Sequence, residues 1–338
     1  MKESDIRPEK LLDRYLELSA QDAEHCFANA PCLDIPCVAC GSQHLIREFD
    51  KNGFAYSSCE DCGTLFQCPR PPIDSFEAFY RDSASSRYWA EEFFPAVAEA
   101  RREKIFRPRV ERLAELCASK GIVVDNLVDV GAGYGIFLDE WRRCFPDAGL
   151  LAVEPSVALA RECRAKGFAV VEDIVENVEG HDECADLVVC FEVLEHVYDP
   201  LAFIQVLIHL ARPGGYVFVS TLGVDGFDIQ MLWEKSNSIF PPHHINFLSV
   251  AGFQNLFERA GLVDIEVSTP GVLDVDIVRN AARRDPSLLD GHRYLRGVLA
   301  DENKSAAFQH FLSENRMSSH AWVIGKKPAA MESQHVGT

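Results

Sequence analysis

Short apolar runs alternate with helical stretches between Asn126 and Thr221: NLVDV, GIFLDEWRRCF, LLAVEP, SVALARECRAKG, AVVED, DLVVCFE, DPLAFIQVLIHLARPGG and YVFVST. Parallel strands can be joined only by crossovers long enough to hold a helix, so this alternation specifies an α/β, Rossmann-like sheet wound with helices. Two further strand patterns, VDIEVST and SHAWVIGKK, follow the helix SVAGFQNLFERAG and bring the expected sheet to seven strands. A mostly helical insert at about 273–317 separates those last two strands, and a tail is expected over 329–338.

The chain has 338 residues, 47% of them apolar, which is enough for this core and a second, smaller module. Residues 1–30 read as a helix and tail, with Leu11, Leu12, Tyr15 and Leu16 near one face. Residues 31–72 change texture to short β-like runs between cysteine pairs and end at PRPP. Residues 73–120 read as a helical connector, closed by Gly121 as a C-terminal cap. The domain with the alternating pattern then occupies 121–328.

The loop after the first strand of the alternation, VGAGYG, carries Gly131, Gly133 and Gly135. Glycines there let backbone amides approach a ligand, and the helix that follows favours negative charge at its N-terminus. Tight packing of strand on helix would also call for glycine. Asp129 stands two residues earlier, where a dinucleotide fingerprint has an apolar residue, and it can accept a hydrogen bond from an ammonium group. Glu154, 23 residues after Gly131, stands where a carboxylate binds ribose hydroxyls, a role that suits NAD equally well.

CVAC at Cys37 and Cys40 and CEDC at Cys59 and Cys62 are two C-x-x-C knuckles 18 residues apart. Four thiolates at this spacing make a closed tetrahedral zinc site, structural because no coordination position is left open. A redox pair or four separately buried cysteines is the alternative. Cys32 and Cys68, which flank the ribbon, are expected as packing residues, and Cys26 is unassigned.

With DLVVCFEVLEHVYDP and ARPGGYVFVS added to the glycine loop, residues 121–265 resemble the class I S-adenosylmethionine-dependent methyltransferases. The resemblance implies that Asp129, Gly131, Ala132, Gly133 and Gly135 face the methionine part of the cofactor. It places Glu154, with Pro155 beside it, on the ribose, Asp173 or Ile174 at the adenine, and Phe191 and Glu192 beneath the sulfonium. The cysteine segment with its continuation to Tyr80 resembles the N-terminal zinc domain of sugar C-methyltransferases and related enzymes of glycan biosynthesis. That implies a module covering a substrate cleft, with Tyr80, Arg81, Tyr88 and Trp89 as candidates to touch the acceptor.

PPHHINF resembles the Glu-His loop of the same enzymes, in which the second residue is the base. By position that is His244, and His243 replaces the acid. A histidine titrates near neutrality and can take a proton from a hydroxyl. His196 in LEHV, with Glu192 and Glu195 around it, is a further candidate for the pocket. Asp228, Gln230 and Asn246 are candidates for sugar hydroxyls, and Asp274, Asp276 and Arg279 are either pocket walls or a solvated face. Sugar C-methyltransferases carry a further C-terminal α/β domain that does not follow the last strand here. O-methylation of a sugar, nucleotide-sugar or glycan end is therefore expected ahead of C-methylation.

Acids outnumber bases 52 to 33, a formal charge of −19, which disfavours a polyanionic partner. A zinc-ribbon RNA methyltransferase would need a basic ribbon, yet 31–72 holds Arg47, Lys51 and Arg70 against Asp34, Glu48, Asp50, Glu60 and Asp61. A non-catalytic binding module would be expected to carry a damaged glycine loop, and this loop is intact. No apolar run approaches a membrane span, and MKESDIRPEK is too charged for a signal peptide, so a cytoplasmic address is expected.

Overall fold

The computed structural model describes residues 1–329, so the expected tail falls outside the described residues from position 330 onward. Three strands, β1 (Leu45–Lys51), β2 (Phe54–Cys59) and β3 (Leu65–Gln67), form the cysteine segment. The main sheet follows as β4 (Asn126–Val130), β5 (Gly149–Val153), β6 (Ala169–Val171), β7 (Ala185–Phe191) and β8 (Ala211–Leu222). A short β9 (Asn246–Phe247) precedes β10 (Val263–Ser268) and β11 (His320–Lys326).

The seven-stranded sheet has the order β10-β11-β8-β7-β4-β5-β6. β4 to β8 pair in parallel, and β11 runs antiparallel to both β8 and β10. This is the Rossmann-like α/β sheet of seven strands that the sequence pattern specifies. Every residue of β7 is buried, as a central parallel strand covered by helices on both faces requires. Period-two alternation divides β4 between two cores: Val128 and Val130 pack with Phe203, Ile204 and Leu207, whereas Leu127 packs with Leu113, Phe137 and Trp141. The strand order reverses between β4 and β7, and a crevice at the carboxyl ends of such a pair is where α/β sheets bind ligands.

The sheet of the cysteine segment does not end within it. β3 pairs antiparallel with β9, Leu65 opposite Phe247 and Phe66 opposite Asn246. Arg259 also donates to the Ala39 carbonyl at 2.6 Å, and Cys37, Ala39, Cys59 and Cys62 share one buried cluster with Leu248, Phe253 and Phe257.

The connector is helical over Ile73–Asp82 and again over 84–119, where two π-turns, Trp89–Phe93 and Arg102–Phe106, interrupt it. Pro95 and Pro108 stand just after these turns. A proline lacks an N–H and clashes with the carbonyl four residues back, and a wider turn relieves both problems. The N-terminal helix is longer than the short one expected, Glu9–Phe27, with Leu12 and Tyr15 buried. Tyr15 packs on Trp89 and Phe93, at ring separations of 5.1 and 6.0 Å. Asp22 caps the helix that begins at Ala84 by accepting from the Ser85 amide at 2.8 Å. Helices Asp274–Arg284, Arg293–Leu299 and Glu302–Glu314 form the insert between β10 and β11. Among the described residues no helix is long and apolar enough to cross a membrane.

Candidate active site

A cavity of about 460 Å³ opens at the switch point. One end is walled by Asp129, Gly131, Ala132, Gly133 and Phe191, the other by Tyr80, Trp89, His196, His243 and His244. Gly131 and Gly133 adopt φ of +77° and +55°. A Cβ at Gly131 would meet Val193 at 2.8 Å, whereas a Cβ at Gly133 would enter open space, so the loop leaves a cradle against the cavity. The loop amides themselves are engaged, which corrects the expectation that they face a ligand. Gly131 and Ala132 donate to the Val153 carbonyl, Gly133 to Glu154 and Gly135 to Ala132.

Asp129 is buried, and its Oδ1 has no hydrogen-bond partner. Burial first, and the nearby Glu154 charge second, raise its carboxyl to about 8, against a smaller opposing effect of Arg109. An unsatisfied buried carboxylate is costly unless a cation reaches it, and the ammonium of a methionine moiety meets that need.

At the opposite end the hydrogen bonds fix the histidine tautomers. A carbonyl only accepts, so His244 Nδ1–H donates to Ser238 O at 2.7 Å and His196 Nδ1–H donates to His243 O at 2.9 Å. Each Nε2 therefore keeps its lone pair. The two rings lie 4.7 Å apart. His243 Nε2 contacts Ser85 Oγ at 2.9 Å, and its ring is packed among Tyr15, Phe79 and Phe240. Burial is the first cause that holds the His244 imidazole well below its ordinary value, with His196 adding to it. Burial likewise lowers His196, to about 4.

Two acids between these ends are driven apart. Glu192 sits in the left-handed region at φ +56°, and its Oε1 receives Arg109 at 2.8 Å, His320 at 2.8 Å and Ser220 at 2.7 Å. Against the cost of burial, His320 and Arg109 hold it well below the usual carboxylate range. Burial and the Glu192 charge raise Glu195 to about 8, and it accepts from Thr221 Oγ1 at 2.7 Å. Glu192 is thus the anion and Glu195 the neutral acid. Ligand atoms of Glu195, His196 and His244 lie within 4.8 Å of one another, a spacing that a divalent cation can bridge.

The sulfurs of Cys37, Cys40, Cys59 and Cys62 also lie within 4.8 Å of one another, with Cys37 to Cys62 and Cys40 to Cys59 at 3.5 Å. Zinc–sulfur bonds of about 2.3 Å in a tetrahedron need sulfurs about 3.8 Å apart, so the four thiols fit a zinc ion.

Several expected site residues are elsewhere. Glu154 turns to the loop, accepting from the Gly133 and Ser156 amides at 2.7 and 2.9 Å, and is not part of the cavity wall. Pro155, Asp173 and Ile174 are exposed away from it, and Asp173 accepts from Ile174 and Asn177. Tyr88 and Arg81 miss the wall, Arg81 pairing with Asp82 instead. Asp228 is wholly buried beside Asp274, with its carboxyl held well above the usual range by burial and by that neighbour. Gln230 is on the surface and donates to Val224 O. Asp274 anchors the insert by accepting from Ser318 and Ser319, while Asp276 and Arg279 bond to Glu3 and Leu299. Cys32 is exposed, in contrast to the packing role expected of it, whereas Cys68 is buried.

Asn246 is also structural. Its Oδ1 accepts from the wholly buried Arg70 guanidinium at 2.9 Å, and its Nδ2 donates to Leu194 O and Val197 O. Arg70 keeps its bonds to Gln67 O and Tyr198 O, but Asn246→Ala leaves one arm of this buried cation and the Leu194 and Val197 carbonyls without their partner, and is expected to lower the unfolding free energy by about 2–4 kcal/mol in denaturant titration. Unchanged stability with weakened acceptor binding would return Asn246 to the substrate site.

Sequence reasoning missed Arg7, Arg101, Arg109, Ser238, Phe240 and His320. The first five line the cavity, and His320 orients Glu192. The helical periodicity around Arg7, Arg101 and Arg109 was legible, but not which buried faces would converge.

The model of a family described as a methyltransferase domain matches residues 97–267, half of the chain. The ubiquinone biosynthesis O-methyltransferase of Pectobacterium carotovorum subsp. carotovorum is 31% identical over 158 residues, 45% of this chain and 63% of that protein. Its counterpart in Serratia proteamaculans is 32% identical over 157 residues, 44% and 62% of the two chains. The chain thus spans just under two thirds of the length of these relatives. These relatives are named as O-methyltransferases, not as the sugar C-methyltransferases that the N-terminal motif resembles. The plantazolicin methyltransferase BpumL, in complex with a monoazolic desmethylPZN analog and SAH, superposes with a TM-score of 0.50 at 12% identity. That match covers 75% of this chain and 93% of the other. BamL, with a triazolic analog and SAH, gives 0.50 at 13% identity, covering 75% and 94%. At such identities the likeness is one of fold.

Proposed function

The chain belongs to the methyltransferase domain family, and we propose that it transfers the methyl group of S-adenosylmethionine to a hydroxyl of a small acceptor. One observation carries this reading: the glycine loop with Asp129 and the histidine cluster wall a single cavity. Bound S-adenosylmethionine supplies an electrophilic methyl on a sulfonium. Asp129 accepts a hydrogen bond from its ammonium, and the Gly131–Gly135 loop gives the methionine moiety room. His244 takes the proton of the acceptor hydroxyl on Nε2 while its Nδ1–H stays on Ser238 O. Placement of the two reactants supplies most of the rate, because in-line displacement at a methyl group asks for little covalent help.

Tyr15, Tyr80, Trp89, Phe93 and Phe240 present aromatic faces to the acceptor end, which suit a ring. The resemblance of the ribbon favours a sugar, nucleotide-sugar or glycan end, and the names of the relatives favour a phenolic ring. Residues 31–72 serve as the zinc ribbon, 73–120 as the cover of the cleft and 121–328 as the catalytic domain, with the insert at 273–317. Transfer of radiolabelled methyl from S-adenosylmethionine to a panel of phenols, sugars, nucleotide-sugars and a short RNA tests the reading. Label on small hydroxyl compounds supports it, and label on RNA alone replaces it.

Asp129 makes cofactor binding depend on pH. Its folded value is raised, so below about 8 the carboxyl must lose a proton before it can meet an ammonium. Affinity for S-adenosylmethionine is expected to climb by up to about tenfold per unit as pH rises from 6 to 7.5. The groups facing it are Glu154, whose own carboxyl is raised by burial, and Arg109, whose guanidinium is lowered by burial. Without cofactor the raised value is a cost to folding, which begins above the unfolded value near 4 and is complete above about 8. Asp129→Asn is therefore expected to flatten the pH slope in calorimetric titration and to raise the thermal midpoint of the cofactor-free protein. A slope unchanged in the variant would remove Asp129 from the cofactor site.

A further inference from the structure

Two arginines reach the cavity without a carboxylate. Arg7 follows the helix Glu3–Ile6, and Arg101 ends the helical run Phe94–Arg101, immediately before the second π-turn. Both also line an adjoining chamber of about 230 Å³, continuous with the first cavity through Arg109, Glu192, Leu222 and Ser238. Among the described residues neither has an ion-pair partner, and Arg101 Nε is buried with no hydrogen-bond acceptor. The guanidinium of Arg101 is held over the rings of Trp89 and Phe94, at 5.8 and 5.4 Å.

Of the other bases here, Lys104 pairs with Asp5 at 2.8 Å and Arg109 with Glu192, and Arg112, over Trp322, is exposed to solvent. The chamber's acids are engaged as well: Glu192 receives Arg109, His320 and Ser220, and Asp274 holds Ser318, Ser319 and Gln309. In a chain of net charge −19, two guanidiniums that border an apolar pocket with no carboxylate between them are a placement that no ion pair explains. A guanidinium fork matches the paired oxygens of a carboxylate or phosphate.

We propose that Arg7 and Arg101 form an anion subsite, and that the acceptor is a hydroxyl compound bearing a carboxylate or phosphate, clamped there with its hydroxyl toward His244. The inference rests on the methyltransferase reading and narrows its substrate class. Leu222 and the neighbouring Ile105, Pro108 and Trp322 of the chamber suit an apolar spacer beside the anion.

Calorimetry on the full chain saturated with S-adenosylhomocysteine tests it with two matched pairs. One is 3,4-dihydroxybenzoate against 3,4-dihydroxybenzyl alcohol, and the other is glucose 1-phosphate against methyl glucoside. The charged member of at least one pair is expected to bind roughly tenfold or more tightly than its neutral partner. Which pair shows the gap separates carboxylate from phosphate. Arg7→Gln and Arg101→Gln should each reduce that gap several-fold, with S-adenosylhomocysteine affinity unchanged. The proposal is overturned by a wild-type protein with no charge preference, the case where no member binds included, or by a preference that survives both variants. It is equally overturned if the variants weaken S-adenosylhomocysteine instead, because the arginines would then serve the cofactor's own carboxylate. Failure of the wild-type chain to bind S-adenosylhomocysteine at all is a different outcome, and it strikes the methyltransferase reading itself.

Discussion

Replacing His244 with glutamine lowers methyl transfer by roughly 10²–10⁴-fold, the usual contribution of a positioned general base. Glutamine can still donate to Ser238 O in place of the Nδ1–H bond, but it cannot take a proton, so S-adenosylmethionine should bind as before. His244→Ala should lose a similar factor. If the glutamine variant keeps the wild-type rate while the alanine variant weakens acceptor binding, His244 is a clamp and not a base. The pH profile gives a second readout. Burial, aided by His196, His243 and Arg7, keeps the His244 imidazole well below its ordinary value, while Glu195 beside it is neutral. The base is therefore in its active, unprotonated form throughout the neutral range. With S-adenosylmethionine kept saturating, so that Asp129 does not limit the rate, activity controlled by His244 should stay level as pH falls through 6.5 and drop only at lower pH. A rate that halves at 6.5 would mean an ordinary, solvated histidine carries the step.

The second large effect concerns the four cysteines. The wild-type chain is expected to hold one zinc ion, and Cys37→Ser should lose it. In isolated zinc fingers the ion contributes on the order of 10 kcal/mol of folding free energy. The cost here is not confined to the cysteine segment, because β3 pairs with β9 and the cysteines pack against Leu248, Phe253 and Phe257. Loss of even a fraction of that energy should lower the thermal midpoint by about 10 °C or more. Elemental analysis and a melting curve on the same sample check both statements. A serine variant with unchanged melting, from a wild type that carries no metal, would leave the cysteines as packing residues.

These effects depend on contacts that differ in how far the sequence announces them. The strands of the main sheet lie where the apolar runs place them, because burial on both faces of a parallel sheet writes itself into consecutive residues, as in ADLVVCF. Asp129 was legible for the opposite reason, as an acid in a position that a buried strand fills with an apolar side chain. The partner of β3 was not legible: β9 has only two residues, Asn246 and Phe247, too few to carry a period. Asp228 and Gln230 read as pocket residues because they are polar and follow the strand β8. Asp228 is instead turned inward against Asp274, some 46 positions later, and no local pattern reports such a meeting. Arg7, Arg101, Arg109 and His320 come from four separate elements, and only tertiary packing brings them to Glu192 and the cavity. The prolines at 95 and 108 did carry a usable signal, since each stands just after a π-turn that lines the site.

One cavity is proposed to hold the cofactor against Asp129 and to face its sulfur toward the histidines. A crystal structure of the full chain with S-adenosylhomocysteine tests it most directly. The ammonium is expected within hydrogen-bond distance of Asp129, the methionine moiety over Gly131–Gly135 and the sulfur open toward His244. S-adenosylhomocysteine bound elsewhere, or in the cavity with its sulfur turned away from the histidines, would contradict it.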